Sequence, residues 1–150
     1  MDINDYTKPK ELMAYSFYWS EARLVIGALA LLLGGVPPVF YFLGSLPTFY
    51  GIISALLKLA WIISGIASVY LVYQWNAHGH MLFGKKDTID SVAFWISIVS
   101  GINLGLTGLL GTNIGMSISA NYVVFVVVAL GYLWSAYQLF TRYQTRSNLF

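Results

Sequence analysis

Charged residues are scarce in this chain of 150 residues, and cysteine is absent. Asp, Glu, Lys and Arg make up 9% of the sequence and hydrophobic residues 58%, whereas a water-soluble domain has about 25% charged residues. So few charges cannot cover a surface that faces water. The lack of cysteine excludes disulfides, thiolate metal sites and redox-active thiols. The composition therefore predicts an integral membrane protein.

The charge balance also bears on partners. The formal net charge is +2, and the eight Lys and Arg residues are scattered. Because nucleic-acid binding needs a concentrated basic surface, no nucleic acid is expected as a partner. Aromatic residues make up 17% of the chain, and Trp and Tyr are enriched at membrane interfaces. Membrane lipids are the expected surroundings.

Long uncharged segments predict four transmembrane helices. About 20 apolar residues suffice to cross a hydrocarbon core, and the last of three uncharged stretches is long enough for two helices. Prolines break helices, so breaks are expected at Pro37-Pro38 and Pro47, and another at the turn-rich segment from Gly111 to Gly115. We place the helices at residues 22–43, 56–75, 90–110 and 121–141.

The segment before the first span, residues 1–21, is predicted to lie at the interface as a short N-terminal amphipathic helix. Glu21 and Arg23 are expected to open the first transmembrane helix beside the headgroups. Asp90 is expected to open the third, where a negative charge suits the helix dipole. The predicted fold class is thus all-α, a polytopic membrane protein with four transmembrane helices.

Cations predict the orientation, because cytoplasmic loops are enriched in Lys and Arg. Seven of the eight fall on one side of the predicted topology: Lys8, Lys10, Arg23, Lys85, Lys86, Arg142 and Arg146. Both termini are therefore expected in the cytoplasm, with the protein in a bacterial inner membrane.

Lys58 is the exception to this asymmetry. A lysine at the bilayer centre costs at least about 2.5 to 3.5 kcal/mol, so we start the second helix near Leu56 and place Lys58 at the outer interface. Residues 47–55 then form a short outer or re-entrant segment. A functional buried lysine is the alternative.

The second and fourth helices end alike. The segment from Gly65 to Gln74 aligns without gaps on Ala129 to Gln138, with an identical Tyr-Gln pair, and Lys58 then matches Tyr122. With a small gap, Gly34-Gly35 falls near Gly101. The chain is therefore predicted to be two tandem helical hairpins, residues 22–84 and 85–150, related by an axis along the membrane normal.

Two segments resemble a known family. The stretch from Gly101 to Ile114 resembles the Gly-x-Asn-Trp-Gly-Leu-x-Gly-Leu-Phe motif of the YuzA-like group, which are small bacterial two-helix membrane proteins of unknown function. The stretch from Lys58 to Leu71 resembles the second helix of that group. Leu104 stands where the family has Trp, and Pro37 where the first half should have Asn. The resemblance implies two-helix units and carries no activity.

The third helix has two faces of small or polar residues. Glycines let helices approach closely in a bilayer, so one face is assigned to helix packing: Gly101, Gly105, Gly108 and Gly111. The other face either holds helices together by hydrogen bonds or lines a polar path: Ser100, Asn103 and Thr107. For Asn103 we favour the first role.

His78 and His80 are weak metal candidates near Asp87 and Asp90. Their spacing selects no metal, and the chain has two histidines in all. We expect no metal and no cofactor. Without a nucleophile beside a base or a phosphate-binding loop, an enzyme is not expected.

Two functions remain. The leading expectation is a noncatalytic membrane protein that assembles through its glycine-rich helix faces, as a homo-oligomer or with other membrane subunits. The alternative is an oligomeric channel or facilitator for a small, mostly uncharged solute.

Overall fold

The computed structural model describes residues 8–43, 47–146 and 148–150, and the side chains of residues 47 and 48 are not described. These residues form an all-helical fold without strands, and the predicted all-α class is confirmed. Leu82 and Lys85 form an isolated bridge in a turn. The helices are α1 (Pro9–Leu32), α2 (Pro38–Leu43), α3 (Pro47–Ala77), α4 (Thr88–Leu110), α5 (Ile114–Ile118) and α6 (Tyr122–Arg146).

The first helix differs from the prediction at both ends. It begins at Pro9, in the segment expected to form a separate amphipathic helix, and it ends at Leu32. The N–H groups of Gly34 and Gly35 bond to the carbonyls of Leu31 and Ala30. Both glycines have positive φ, of 77° and 87°, which glycine adopts without strain. The predicted helix 22–43 is therefore split into the end of α1 and the short α2.

Three helices of the described chain are long and apolar enough to cross a membrane, which is consistent with a membrane protein: Phe49–Ala77, Thr88–Leu110 and Tyr122–Arg146. Four spans plus an amphipathic helix were predicted, and this count is not what the structure has. The difference lies in α1, because one continuous helix joins the apolar residues 24–32 to a longer part that carries Lys10, Glu11, Glu21 and Arg23.

The helix α3 is longer than predicted. It continues without a break from Pro47 to Ala77, so a separate outer segment at residues 47–55 is wrong. At about 1.5 Å per residue it is about 46 Å long, which exceeds a hydrocarbon core of about 30 Å. The part from Lys58 onward is already about 20 residues, enough to span. An interfacial Lys58 stays a prediction that this length permits.

The ends of α4 are capped by local chemistry. Asp87 accepts hydrogen bonds from the N–H groups of Ile89 and Asp90, which satisfies two free donors of the first turn. Gly111 ends the helix with a φ of 74°. The next turn is short, and Asn113 caps α5 through its bond from the Met116 N–H. The predicted breaks at both ends of the third helix are therefore close to those observed.

The start of α1 and the C-terminal residues lie at one end of the described structure, here called the terminal end. The hydroxyl of Tyr70 bonds to the carbonyl of Pro9, and Arg146 donates to the carbonyl of Phe83, between α3 and α4. At the opposite end, Tyr122 donates to Leu32. Accordingly α1 and α4 run in one direction, and α3 and α6 run in the other. The closest packing is α3 along α4 and α1 along α6.

A hydrophobic core closes the terminal end. Its buried members come from all four long helices, the turn before α4 and the C-terminal tail: Phe17, Leu71, Leu82, Phe83, Ala93, Phe94, Ile98, Leu139 and Leu149. The N–H of Phe83 donates to the carbonyl of Leu149, which ties the tail to the turn. The helix interior is therefore sealed by apolar packing at this end.

Candidate functional site around Arg23

Charged and hydroxyl side chains are buried where the four long helices meet. Glu21 and Arg23 of α1 are 7% and 6% exposed. Serines of the other helices are buried with them: Ser64 and Ser68 on α3, Ser97 on α4 and Ser135 on α6. Buried charges are rare unless they are paired, so this polar interior is the most unusual feature of the fold.

Arg23 joins α1 to α4 through one of its nitrogens. Its Nη2 donates to the carbonyl of Ser97 at 2.8 Å and to the hydroxyl of the same residue at 3.0 Å. Its Nε and Nη1 are buried without a hydrogen-bond partner. These two atoms carry three of the five N–H donors of a guanidinium group. The guanidinium group is thus held through Nη2, and the hydrogen-bond donors on Nε and Nη1 have no partner.

The site lies deep along the helices. Ser97 follows the start of α4 by nine residues, and Ser68 precedes the end of α3 by nine. Nine residues correspond to about 14 Å of helix, close to the middle of a core of about 30 Å. Glu21 and Arg23 were expected to open a helix beside the headgroups. That expectation is wrong, because α1 begins at Pro9 and the other helices cover both side chains.

Gly101 lets the polar groups approach one another. A Cβ placed on Gly101 would overlap the Ser68 hydroxyl and would lie 2.9 Å from Arg23 Nη1. The hydroxyl and the guanidinium group therefore meet at the bare backbone of Gly101. Ser68 is fully buried, and its Oγ has no hydrogen-bond partner.

Glu21 and Ser20 add further unsatisfied atoms. Both carboxyl oxygens of Glu21 and the hydroxyl of Ser20 are buried without a partner. A buried polar atom left unpaired costs about 1 to 3 kcal/mol, and more when it is charged. Native structures pair nearly all such atoms with protein or water. Three residues with such atoms, Ser20, Glu21 and Arg23, fall within one turn of α1, where water or a small solute would supply the missing partners.

The predicted packing glycines face α3 of the same chain. A Cβ on Gly105 would lie 2.7 Å from the Cα of Gly65, and one on Gly108 would lie 2.8 Å from Ile62 Cγ1. Gly101 faces the same helix at Ser68. Gly111 ends α4, and nothing lies within 4 Å of the position of its Cβ. These glycines, other than Gly111, therefore pack helices within one chain.

The predicted polar face is dispersed in the structure. Asn103 donates to Asn113 Oδ1 at 2.9 Å and accepts from the Gly115 N–H at 3.2 Å, so it fastens the turn after α4. Thr107 donates to the carbonyl of Asn103 in its own helix. Ser100 lies on an apolar groove between α4 and α6. No continuous polar row joins these three residues to Arg23.

The histidines lie at the terminal end, away from Arg23. His78 Nδ1 is 2.7 Å from the carbonyl of Gln74, and His80 Nε2 is 2.9 Å from Asn76 Oδ1. Within the described ranges, no three His, Cys, Asp or Glu side chains lie close enough to hold a metal ion. Both histidines follow the end of α3, and each ring contacts a residue in the last turn of that helix and not the other ring.

A second charged cluster was missed in the sequence. Asp90 is 3% exposed, and it accepts from Gln138 at 2.7 Å and from Arg142 Nε at 3.2 Å. Arg142 Nη2 also lies 3.7 Å from Asp87 Oδ2. Opposite charges at matching ends of two predicted antiparallel helices were the available signal. This cluster joins α4 to α6 and has its partners, unlike the site at Arg23.

No protein-family model, curated protein or solved structure matches the chain. The resemblance to the YuzA-like group therefore stays a prediction.

Proposed function

We propose that the protein is a noncatalytic multi-pass membrane protein that lets a small solute cross through a binding site at Arg23. The observation that carries this proposal is the burial of Glu21 and Arg23 midway along the helices with polar atoms left unpaired. Ionisable residues inside a membrane are costly, and where they occur they mark ion or substrate pathways. This favours the facilitator over a purely structural role.

The proposal places α1 in the bilayer with the three candidate spans. Its charged residues Glu21 and Arg23 turn toward the other helices, so they do not meet lipid. The exposed large residues that follow them are apolar: Val25, Ile26, Leu29 and Leu32. Such a surface suits acyl chains. The asymmetry of the other cations, without Arg23, still supports cytoplasmic termini: Lys8, Lys10, Lys85, Lys86, Arg142 and Arg146.

The two halves of the chain support a binding site between them. In the sequence alignment Ser68 of α3 corresponds to Tyr132 of α6. Ser68 packs against Gly101 of α4, and Tyr132 lies 3.5 Å from the position of a Cβ on Gly27 of α1. Gly27 is thus the residue of the first half that is equivalent to Gly101 in the second half. The sequence alignment had paired Gly101 with Gly34 instead.

This register relates the two groups that form the central hydrogen bond. Arg23 precedes Gly27 by four residues, and Ser97 precedes Gly101 by four. Arg23 and Ser97 are therefore equivalent positions of the proposed repeat, and they bond to each other across its axis. Transporters built from repeats hold their substrates near the bilayer midplane at the repeat interface. The position of Arg23 fits that arrangement.

Assembly with copies of the chain, or with other membrane subunits, stays a prediction. Gly101, Gly105 and Gly108 are covered by α3 in the described structure. An oligomer would therefore need a different surface. The exposed apolar residues of α3 are as well suited to lipid as to a partner.

Solute flux into proteoliposomes tests the proposal. Vesicles with the wild type should take up small solutes faster than protein-free vesicles in an osmotic swelling assay, across a panel of ions and uncharged molecules. The Arg23→Gln variant should lose at least about tenfold of that rate, equivalent to about 1.4 kcal/mol. Arg146→Gln is the matched control, because Arg146 bonds to a carbonyl at the terminal end. Wild-type vesicles no faster than protein-free ones would refute the proposal.

A further inference from the structure

We infer that the solute held at Arg23 is a small monovalent anion, bound by the free edge of the guanidinium group and the Ser68 hydroxyl. The inference rests on the proposed function for the idea that the site takes a solute. Its test measures binding, so that it can fail or succeed separately from permeation.

Apart from the two Glu21 oxygens, the unsatisfied atoms at and around Arg23 are able to donate hydrogen bonds. Nε and Nη1 of Arg23 and the hydroxyls of Ser20 and Ser68 are all buried without a partner. Ser20 precedes Arg23 by three residues and so lies on the same face of α1. Nη1 and the Ser68 hydroxyl meet at Gly101. An anion beside Gly101 accepts from Nη1 and the Ser68 hydroxyl together, whereas a cation there faces the positive charge of Arg23.

The charge of Arg23 is not neutralised by a direct ion pair. Its partner Ser97 offers a carbonyl and a hydroxyl, both neutral. The acidic partners of Arg142, by contrast, are Asp87 and Asp90 at the terminal end. Guanidinium groups bind anions through charge-assisted hydrogen bonds, which are about twice as strong as neutral ones. Arg23 is thus a cation that is held by Ser97 and still has unpaired hydrogen-bond donors.

The space at the site limits the size of the anion. A single Cβ on Gly101 would already overlap the Ser68 hydroxyl. Helices that pack this closely leave no room between them for a large solute unless they move apart. Chloride and nitrate are suitable probes, and gluconate is the large anion for comparison.

Glu21 opposes anion binding when it is ionised. Its oxygens are buried and unpaired, two residues from Arg23 on the same helix. A like charge nearby lowers the affinity of a site for an anion. Neutralising this residue should therefore strengthen binding, whereas a purely structural carboxyl group would leave binding unchanged.

Thermal unfolding of the purified protein in detergent tests the inference. Sodium chloride or sodium nitrate is titrated at constant ionic strength against sodium gluconate. A ligand that binds the native state raises the unfolding midpoint in a saturable way. We expect saturable stabilisation by chloride and nitrate relative to gluconate. An identical response to all three salts would overturn the inference and leave water as the occupant of the site.

Four variants locate the effect. Arg23→Gln should abolish the anion-dependent shift, and Ser68→Ala should raise the half-saturating concentration about tenfold for one lost hydrogen bond. Glu21→Gln should lower it severalfold, and Arg146→Gln should leave it unchanged. If Arg23→Gln does not fold, Ser68→Ala and Glu21→Gln still decide the question. Equal half-saturation in those two variants and the wild type would contradict the assigned site.

The binding and flux results separate the two proposals. Saturable binding without flux would retain the anion site and remove the facilitator. Flux of uncharged solutes, with no anion effect on unfolding, would retain the facilitator and remove the anion. Arg23-dependent binding together with chloride flux would support both.

Discussion

Gly101 and Gly105 lie one turn apart on α4 and face the same helix, but their surroundings differ. At Gly105 the neighbouring atoms belong to the backbone of Gly65. At Gly101 they are the ends of two polar side chains, from Ser68 and Arg23. The first glycine allows two helices to touch, and the second makes room for charge. The same residue type, at regular spacing, thus serves packing at one position and a polar site at the next.

The two positions also differ in energy. Close helix contact in a bilayer stabilises through van der Waals packing, and the contact at Gly105 has no polar atoms to satisfy. The position at Gly101 leaves several buried donors unpaired, each at a cost of about 1 to 3 kcal/mol. Proteins keep destabilising features of this kind mainly at positions that serve a function. The contrast therefore separates a stabilising contact from the proposed binding site.

The largest expected effect on stability is at the contact between Gly105 and Gly65. Gly105→Leu would place a Cβ 2.7 Å from the Cα of Gly65, and backbone atoms on neither helix can give way. We expect a loss of stability of about 3 kcal/mol or more, seen as a lowered midpoint of thermal unfolding in detergent. Little folded protein should accumulate in the membrane.

Gly131→Leu is the matched control on α6. Nothing lies within 4 Å of the position of a Cβ on Gly131. The substitution should leave stability unchanged or raise it by about 0.5 to 1 kcal/mol, because glycine is a poor helix former. Equal losses in the two variants would show that the contact between Gly65 and Gly105 is not a close one.

A smaller effect on stability is expected at the polar position. Gly101→Ala displaces the Ser68 hydroxyl and the Arg23 side chain, which can rotate, so we expect a loss of about 1 to 2 kcal/mol. Stabilisation by chloride should disappear at the same time. Gly27→Ala is the control, because its nearest neighbour, Tyr132, is at an ordinary contact distance of 3.5 Å. A variant at Gly101 that keeps the chloride response would remove the polar site from this turn.

The sequence predicted the helices better than the site. The sequence placed both ends of α4 and the start of α6 closely, because Asp87, Gly111 and Asn121 mark them, whereas α6 continues five residues past its predicted end at 141. The breaks at Gly34 and Pro37 were underestimated, so α1 was shifted by more than ten residues. The predicted start of α3, near Leu56, is wrong because the cost of burying Lys58 does not end the helix, which continues back to Pro47.

The site at Arg23 was missed for a physical reason. A charge near the start of an apolar run is usually interfacial, and only the packing of the other helices reveals that it is covered. The glycine stripe was visible from spacing, yet the partner across it, Gly65, lies forty residues away in the sequence. Pairings of that kind follow from tertiary packing and not from local pattern.

The smallest effect, opposite in sign, is expected at Glu21. Glu21→Gln keeps the shape of a side chain whose two oxygens have no partner, and at alkaline pH, where this buried carboxyl group is ionised, it removes a buried charge. Because unpaired charged groups cost more than unpaired neutral ones, stability should rise by about 1 kcal/mol. Glu11→Gln is the control, an exposed position in the first turn of α1, where losing a favourable charge should cost a few tenths of a kcal/mol, roughly. Both are measured as unfolding midpoints in detergent at one pH and one salt concentration. A loss of stability in Glu21→Gln would mean that this carboxylate has a strong partner, and that the polar interior is structural like the cluster at Asp90.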